Sequence, residues 1–164
     1  MDKLSAKFSK IYDRYIDKIY RFIYFKVGSE EICQDLTSET FLRAWEVFKK
    51  EKIDNMPAFL YKTARNLVVD YYRQKEKLQN SPLSFLSGST ENLEEKAILN
   101  SDLEKMREAL LTLKEDDQNL LIWYYLEGIP VKEIAKMLEK TENNVRVSIH
   151  RALKALKEKI NQSL

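Results

Sequence analysis

Apolar side chains recur every three to four residues over almost the whole chain, and a chain patterned this way buries them by winding into helices and packing those helices together. Phe8, Ile11, Tyr12, Tyr15, Ile19, Phe22 and Ile23 mark a first helix that ends near Gly28. Ser29 is placed to cap a second, with Ile32, Leu36, Thr40, Phe41, Ala44, Trp45 and Phe48 on its inner side. Pro57 suits the first turn of a third, where its missing N–H costs nothing; this helix buries Leu60, Ala64, Leu67, Val68 and Tyr71. The pattern breaks once. LQNSPLSFLSGSTEN, from Leu78 to Asn92, holds Pro82, Gly88 and four serines, and it reads as a linker whose Phe85 and Leu86 are free to dock. Periodicity resumes near Leu93. A helix through Leu103, Met106, Leu110 and Leu113 leads into one through Leu120, Leu121, Trp123, Tyr124 and Leu126, which Gly128 ends. The expected fold is all-α: a helical bundle in residues 1–77, a flexible linker in 78–92, and a second small helical domain in 93–164.

Composition narrows the function classes. Three glycines and three prolines in 164 residues agree with a helical chain. The single cysteine, Cys33, rules out an internal disulfide and argues against a cysteine zinc site, which leaves a small buried side chain as its simplest role. With one histidine, no glycine-rich phosphate loop and no cluster of metal ligands, neither an enzyme nor a cofactor or metal is expected. No apolar run is long enough to span a bilayer, and MDKLSAKFSKIYDRY lacks the apolar segment of a signal peptide, so the expected location is the cytoplasm.

The net charge of +2 conceals an uneven distribution. Lys62, Arg65, Arg73, Lys75 and Lys77 make one basic zone, and the stretch from Lys132 to Lys159 makes another. Between Glu30 and Thr40 there are four acids and no base, and acids lead again from Glu91 to Asp117. Two basic zones divided by acidic ones point to two anion-binding faces.

The second basic zone has a recognisable layout. Val131, Ile134, Ala135 and Leu138 form the apolar stripe of a short helix. After the brief Glu139–Lys140 turn, Thr141 can cap a longer basic helix with Val145, Ile149, Ala152, Leu153, Leu156 and Ile160 inside. These are the parts of a helix-turn-helix, whose second helix presents its first residues to base edges in the major groove. Thr141, Glu142, Asn143, Asn144, Arg146, Val147 and Ser148 occupy that position. Asn143 or Asn144 can pair with adenine and Arg146 with guanine or phosphate, while His150, Arg151 and Lys154 suit phosphate contact.

In the first zone, FLYKTARNLVVDYYRQK divides into two faces. Leu60, Ala64, Leu67 and Tyr71 turn inward, and Lys62, Asn66, Val69 and Arg73 turn outward with Arg65 and Tyr72 on the flanks. Cations, an amide and an aromatic together suit single-stranded nucleic acid, where each stacked base is worth about 1–3 kcal/mol. Core packing of the tyrosines and a merely solvated basic face is the competing account.

Three stretches resemble the extracytoplasmic-function (group 4) sigma factors of RNA polymerase, in the sigma-70 family. DLTSETFLRAWEVF, Asp35 to Phe48, resembles the helix with which that family binds core polymerase. AFLYKTARNLVVDYYR, Ala58 to Arg73, resembles the helix that reads the −10 promoter element. EGIPVKEIAKMLEKTENNVRVSIHRALKALK, Glu127 to Lys157, resembles the helix-turn-helix that reads the −35 element. The resemblance implies that Asp35, Glu39, Arg43 and Trp45 bind core polymerase and that Lys62, Arg65, Asn66, Tyr72 and Arg73 meet −10 DNA. It implies that Asn66 lines a pocket for a flipped base. It also implies that Thr141, Asn143, Asn144, Arg146, Ser148, His150, Arg151 and Lys154 meet duplex −35 DNA, and it adds an anti-sigma factor as a further candidate partner. Several positions depart from the family pattern. Phe59 replaces a usual tryptophan, Lys114 and Gln118 replace a proline and an arginine, and Pro130 replaces a serine cap. Val147 and Ser148 stand where Ser-Arg is frequent, and Glu142 brings a negative charge to the groove. A stand-alone helix-turn-helix regulator explains the C-terminal half equally well but gives Asp35 to Arg73 no task.

Overall fold

The computed structural model describes residues 2–79 and 101–162, with the backbone alone at 101–103. Phe85, Leu86, the rest of the linker beyond Gln79 and the resumption of periodicity at Leu93 lie outside the described residues. The chain divides into two compact units, 1–77 and 78–164.

The first unit consists of α1 (Lys3–Val27), α2 (Glu30–Lys50) and α3 (Met56–Gln79). Each start has a local cause. The Asp2 carboxylate accepts the Leu4 N–H at 3.0 Å, and the Ser29 hydroxyl accepts the Ile32 N–H at 3.4 Å. α3 begins with a cap that the sequence reading passed over: Asn55 Oδ1 accepts the Ala58 N–H at 3.1 Å, with Pro57 in the first turn. α1 stops at Gly28, whose φ of 67° is left-handed, while its N–H closes on the Tyr24 carbonyl at 2.8 Å. α3 runs two residues past the expected boundary at 77. Lys75 to Gln79 are tolerated in a helix, and the first breakers, Asn80 to Pro82, come later.

Ile19, Phe22 and Ile23 of α1, Cys33 and Ala44 of α2, and Leu60 and Ala64 of α3 are all fully buried. Tyr61 is buried too, its ring edge-on to Phe22 at 5.3 Å. The Cys33 thiol donates to the Tyr20 carbonyl at 3.2 Å, and burial pushes its pKa up, so it packs as a neutral side chain. Tyr12, one of the residues marking the first helix, is exposed, with its ring edge-on to Phe41 at 4.9 Å.

The second unit holds α4 (Ser101–Leu111), α5 (Glu115–Leu121), a π-helical turn (Ile122–Leu126), α6 (Val131–Leu138) and α7 (Glu142–Gln162). α5 has no side-chain cap at Lys114, but Glu115, Asp116 and Asp117 set three negative charges against its N-terminal dipole. Gln118 is buried, and its amide nitrogen donates to the Leu111 carbonyl at 3.2 Å and the Leu113 carbonyl at 2.8 Å, closing the end of α4. Gln118→Ala leaves those carbonyls without that donor and is expected to cost about 2 kcal/mol in urea unfolding. A loss below about 0.5 kcal/mol would mean that water replaces the amide without penalty.

Leu120, Leu121 and Trp123 are buried as expected and Ile122 is buried with them, but Tyr124 and Leu126 face solvent. The reason is the π turn, in which the Glu127 N–H reaches back five residues to the Ile122 carbonyl at 2.9 Å. One extra residue in a turn rotates everything after it by about 100° relative to the helical register. Gly128, at φ 65°, then ends the segment. Ile134, Ala135, Val145, Ile149 and Ala152 join α6 and α7 in the core.

Candidate nucleic-acid interface

α2 supplies the first surface. With Thr37, Thr40, Phe41 and Ala44 buried, geometry turns Asp35, Leu42, Arg43 and Glu46 outward, with Glu39 at the margin. The Arg43 guanidinium donates to Glu39 Oε1 at 2.9 Å. Each side chain is about half exposed, so the pair contributes only about 0.3–0.5 kcal/mol to the helix, and both groups can turn to a partner. Trp45 does something different. It is half-buried, 5.1 Å from the Phe8 ring and 6.3 Å from Phe48, with the Lys49 ammonium 5.6 Å from its centroid. It therefore fastens α2 to the start of α1. Leu42 is a surface residue the sequence reading missed: it is 54% exposed beside the acids. Its apolar character, out of phase with the buried stripe, was the available signal.

The second surface is the outward face of α3. Lys62, Asn66 and Arg73 are exposed along it, and Arg65 and Val69 are half-buried. Arg73 lies 4.0 Å from Asp70, a loose surface pair. The Asn66 side-chain amide makes no hydrogen bond among the described residues, so both its donor and acceptor face outward. Tyr72 remains 42% exposed while its hydroxyl donates to the Lys26 carbonyl at the end of α1. That bond spans 46 positions and ties the ring to the end of α1. A flat, partly exposed ring on a helix that also carries exposed cations is suited to a stacked base.

In the second unit, α6, the turn and α7 form the helix-turn-helix. Glu139 makes the turn with φ 55° and ψ 44°, a left-handed conformation that ordinarily favours glycine. The Thr141 hydroxyl accepts the Asn144 N–H at 3.1 Å. Thr141 is thus occupied as the cap of α7, a structural task beside its proposed contact with DNA. Asn143, Asn144, Arg146, Val147, His150, Arg151 and Lys154 are exposed, and Ser148 is half-buried. Two pairs bridge successive turns: Arg146 to Glu142 at 3.4 Å, and the Ser148 hydroxyl to Asn144 Oδ1 at 3.4 Å. The exposed residues other than Val147 carry donors or cations, whereas Val145, Ile149 and Ala152 hold the opposite side in the core. Beside this element the π turn exposes Tyr124, Tyr125 and Leu126, with the two rings edge-on at 4.9 Å. Among the described residues no helix is long and apolar enough to cross a membrane.

The model of Sigma-70 region 2 matches residues 11–78, and that of Sigma-70, region 4 matches 103–156. The chain is 32% identical over 155 residues to the ECF RNA polymerase sigma factor BldN of Streptomyces coelicolor, covering 91% of this chain and 58% of BldN. It is 24% identical over 162 residues to SigX of Bacillus subtilis, covering 94% and 84% of the two chains. With SigM of the same organism it shares 23% over 156 residues, covering 94% and 96%. In fold it is similar to the sigma factor RpoE of Bartonella quintana, solved in complex with the anti-sigma factor NepR. The TM-score is 0.62 at 17% identity, over 94% of this chain and 97% of that one.

Proposed function

Because the chain belongs to the sigma-70 family of RNA polymerase sigma factors, in its ECF branch, we propose that it binds core polymerase, carries it to specific promoters and helps open their −10 region. Region 2 and region 4 occurring in order on one chain is the observation that carries this reading. The role requires no chemistry of its own, and it places the protein in the cytoplasm, where polymerase works. The acids of α2, Asp35 and Glu39, orient the chain on a basic face of polymerase while Leu42 and the Trp45 edge supply apolar contact. Arg43 closes the same surface. On α3, Lys62, Arg65 and Arg73 meet the phosphates of the separated strand, Tyr72 takes a stacked base, and Asn66 holds a base turned out of the helix. On α7, Asn143, Asn144, Arg146 and Ser148 address −35 base edges, with His150, Arg151 and Lys154 on the backbone.

The near-neutral chain, at +2, neutralises few phosphates on its own, so polymerase supplies most of the affinity and this protein supplies the address. The α2 acids are also where an anti-sigma factor can compete with polymerase.

Run-off transcription with core polymerase on a genomic fragment library, followed by mapping of start sites, tests the proposal. Promoter-specific starts that depend on this chain support it. Tight duplex binding by the purified protein, unchanged by core polymerase and without added starts, would instead make it a stand-alone regulator. Asp35→Arg combined with Glu39→Arg is expected to reduce polymerase capture at least about tenfold, since like charges facing each other at an interface cost several kcal/mol. Both positions are on the surface, so stability should shift by less than about 1 kcal/mol. Unchanged capture would remove the α2 surface from the proposal.

A further inference from the structure

One residue at the DNA-facing end of α7 has no task in the reading above. Glu142 is the first residue of α7, and it carries a carboxylate into a place where phosphates make negative charge unfavourable. Its side chain is not idle. Oε2 sits 3.4 Å from Arg146 Nη2, one helical turn on, with both side chains about half exposed. Glutamate four residues before a cation is the favourable order for such a pair. The neighbouring Asn144–Ser148 contact repeats the same spacing. The first two turns of α7 therefore present a linked acid–guanidinium pair to the groove.

That pair has a defined chemistry towards base edges. In the major groove a carboxylate finds donors only in exocyclic amines, and cytosine N4 is its preferred partner. A guanidinium finds the O6 and N7 acceptors of guanine. A carboxylate that meets no amine stays desolvated among phosphates, which penalises wrong sequences. Pairing with Glu142 also biases Arg146 away from the backbone, and the bias deepens once the groove excludes water from the pair. Resting on the reading of α6 and α7 as the promoter-contacting element, we propose that Glu142 is a specificity determinant: it accepts from a cytosine amine and positions Arg146 on a neighbouring guanine, at the expense of non-specific affinity.

The test is selection of −35 sequences from a randomised promoter library by reconstituted holoenzyme, with wild type, Glu142→Gln and Glu142→Asp. Wild type is expected to enrich cytosine at one position and guanine beside it. Glu142→Gln should lower the cytosine preference about fivefold or more, loosen the guanine preference, and raise binding to unselected DNA with a steeper salt dependence. Glu142→Asp keeps the charge but is one methylene short of Arg146; it should lose the guanine preference while retaining the wild-type salt slope. That result separates positioning from simple repulsion. Glu142→Gln with wild-type preferences, or Glu142→Asp indistinguishable from wild type, overturns the assignment. A wild-type holoenzyme that transcribes from defined promoters yet selects no −35 sequence overturns the underlying reading of α6 and α7 as well.

Discussion

Replacing Phe22 by alanine is expected to remove about 3–5 kcal/mol from the stability of the first unit, as large aromatic truncations in sealed cores do. Phe22 has no exposed surface. Its ring meets Tyr61 edge-on at 5.3 Å, and the Lys26 ammonium lies 4.9 Å from its centroid. The substitution therefore loses buried area, an aromatic pair and the ring beneath a nearly buried cation, and it leaves a cavity that three helices would have to collapse to fill. Domains of this size have about 5–15 kcal/mol in all, so much of the folded population is at stake. Hydrogen exchange on the full-length protein is the suitable measurement, because it resolves α1–α3 by peptide. Protection there should fall by two decades or more at about 1.4 kcal/mol per decade. A drop of less than one decade would mean that the Phe22–Tyr61 contact is not the centre of this bundle.

Asn66→Ala should give a large functional effect with almost no structural one. Asn66 is exposed in the middle of α3, where alanine is the better helix former, so folding should be unimpaired or slightly improved. If the amide holds a flipped base, its loss removes hydrogen bonds worth about 1–3 kcal/mol, which corresponds to roughly a five- to hundredfold fall in open complexes. Holoenzyme assembly should be unaffected, because polymerase contact is assigned to α2. A promoter lacking one −10 base supplies the control. At the position Asn66 reads, the abasic template should weaken the wild type to the level of the variant and weaken the variant no further. Additive losses at every position, or normal opening by Asn66→Ala, would remove Asn66 from the base-holding role.

Helix identities were legible because their causes are local. Ser29, Thr141 and Gly28 act within one turn of their own positions, and the 3.6-residue repeat that places Leu60, Ala64 and Leu67 inside also places Lys62, Asn66 and Arg73 outside. The same logic failed in instructive places. Pro57 lies in the first turn of α3 as expected, but the sequence reading did not include the Asn55 cap before it. Tyr124 and Leu126 were placed in the core because a constant repeat was carried through a π turn that breaks it. Trp45 was assigned to a partner by resemblance, and in the free chain its ring is engaged with Phe8 and Phe48.

The amino-acid sequence by itself determined where helices begin and end, which faces are apolar, and that two cationic faces are separated by acidic ones. These properties depend on neighbours within about four residues. Only the tertiary structure decided that the Tyr72 hydroxyl closes the Lys26 carbonyl. It also decided that Gln118 rather than an arginine seals the end of α4. Such features join groups through space or depend on what packs nearby, and helical periodicity carries no information about which distant carbonyl a side chain will find.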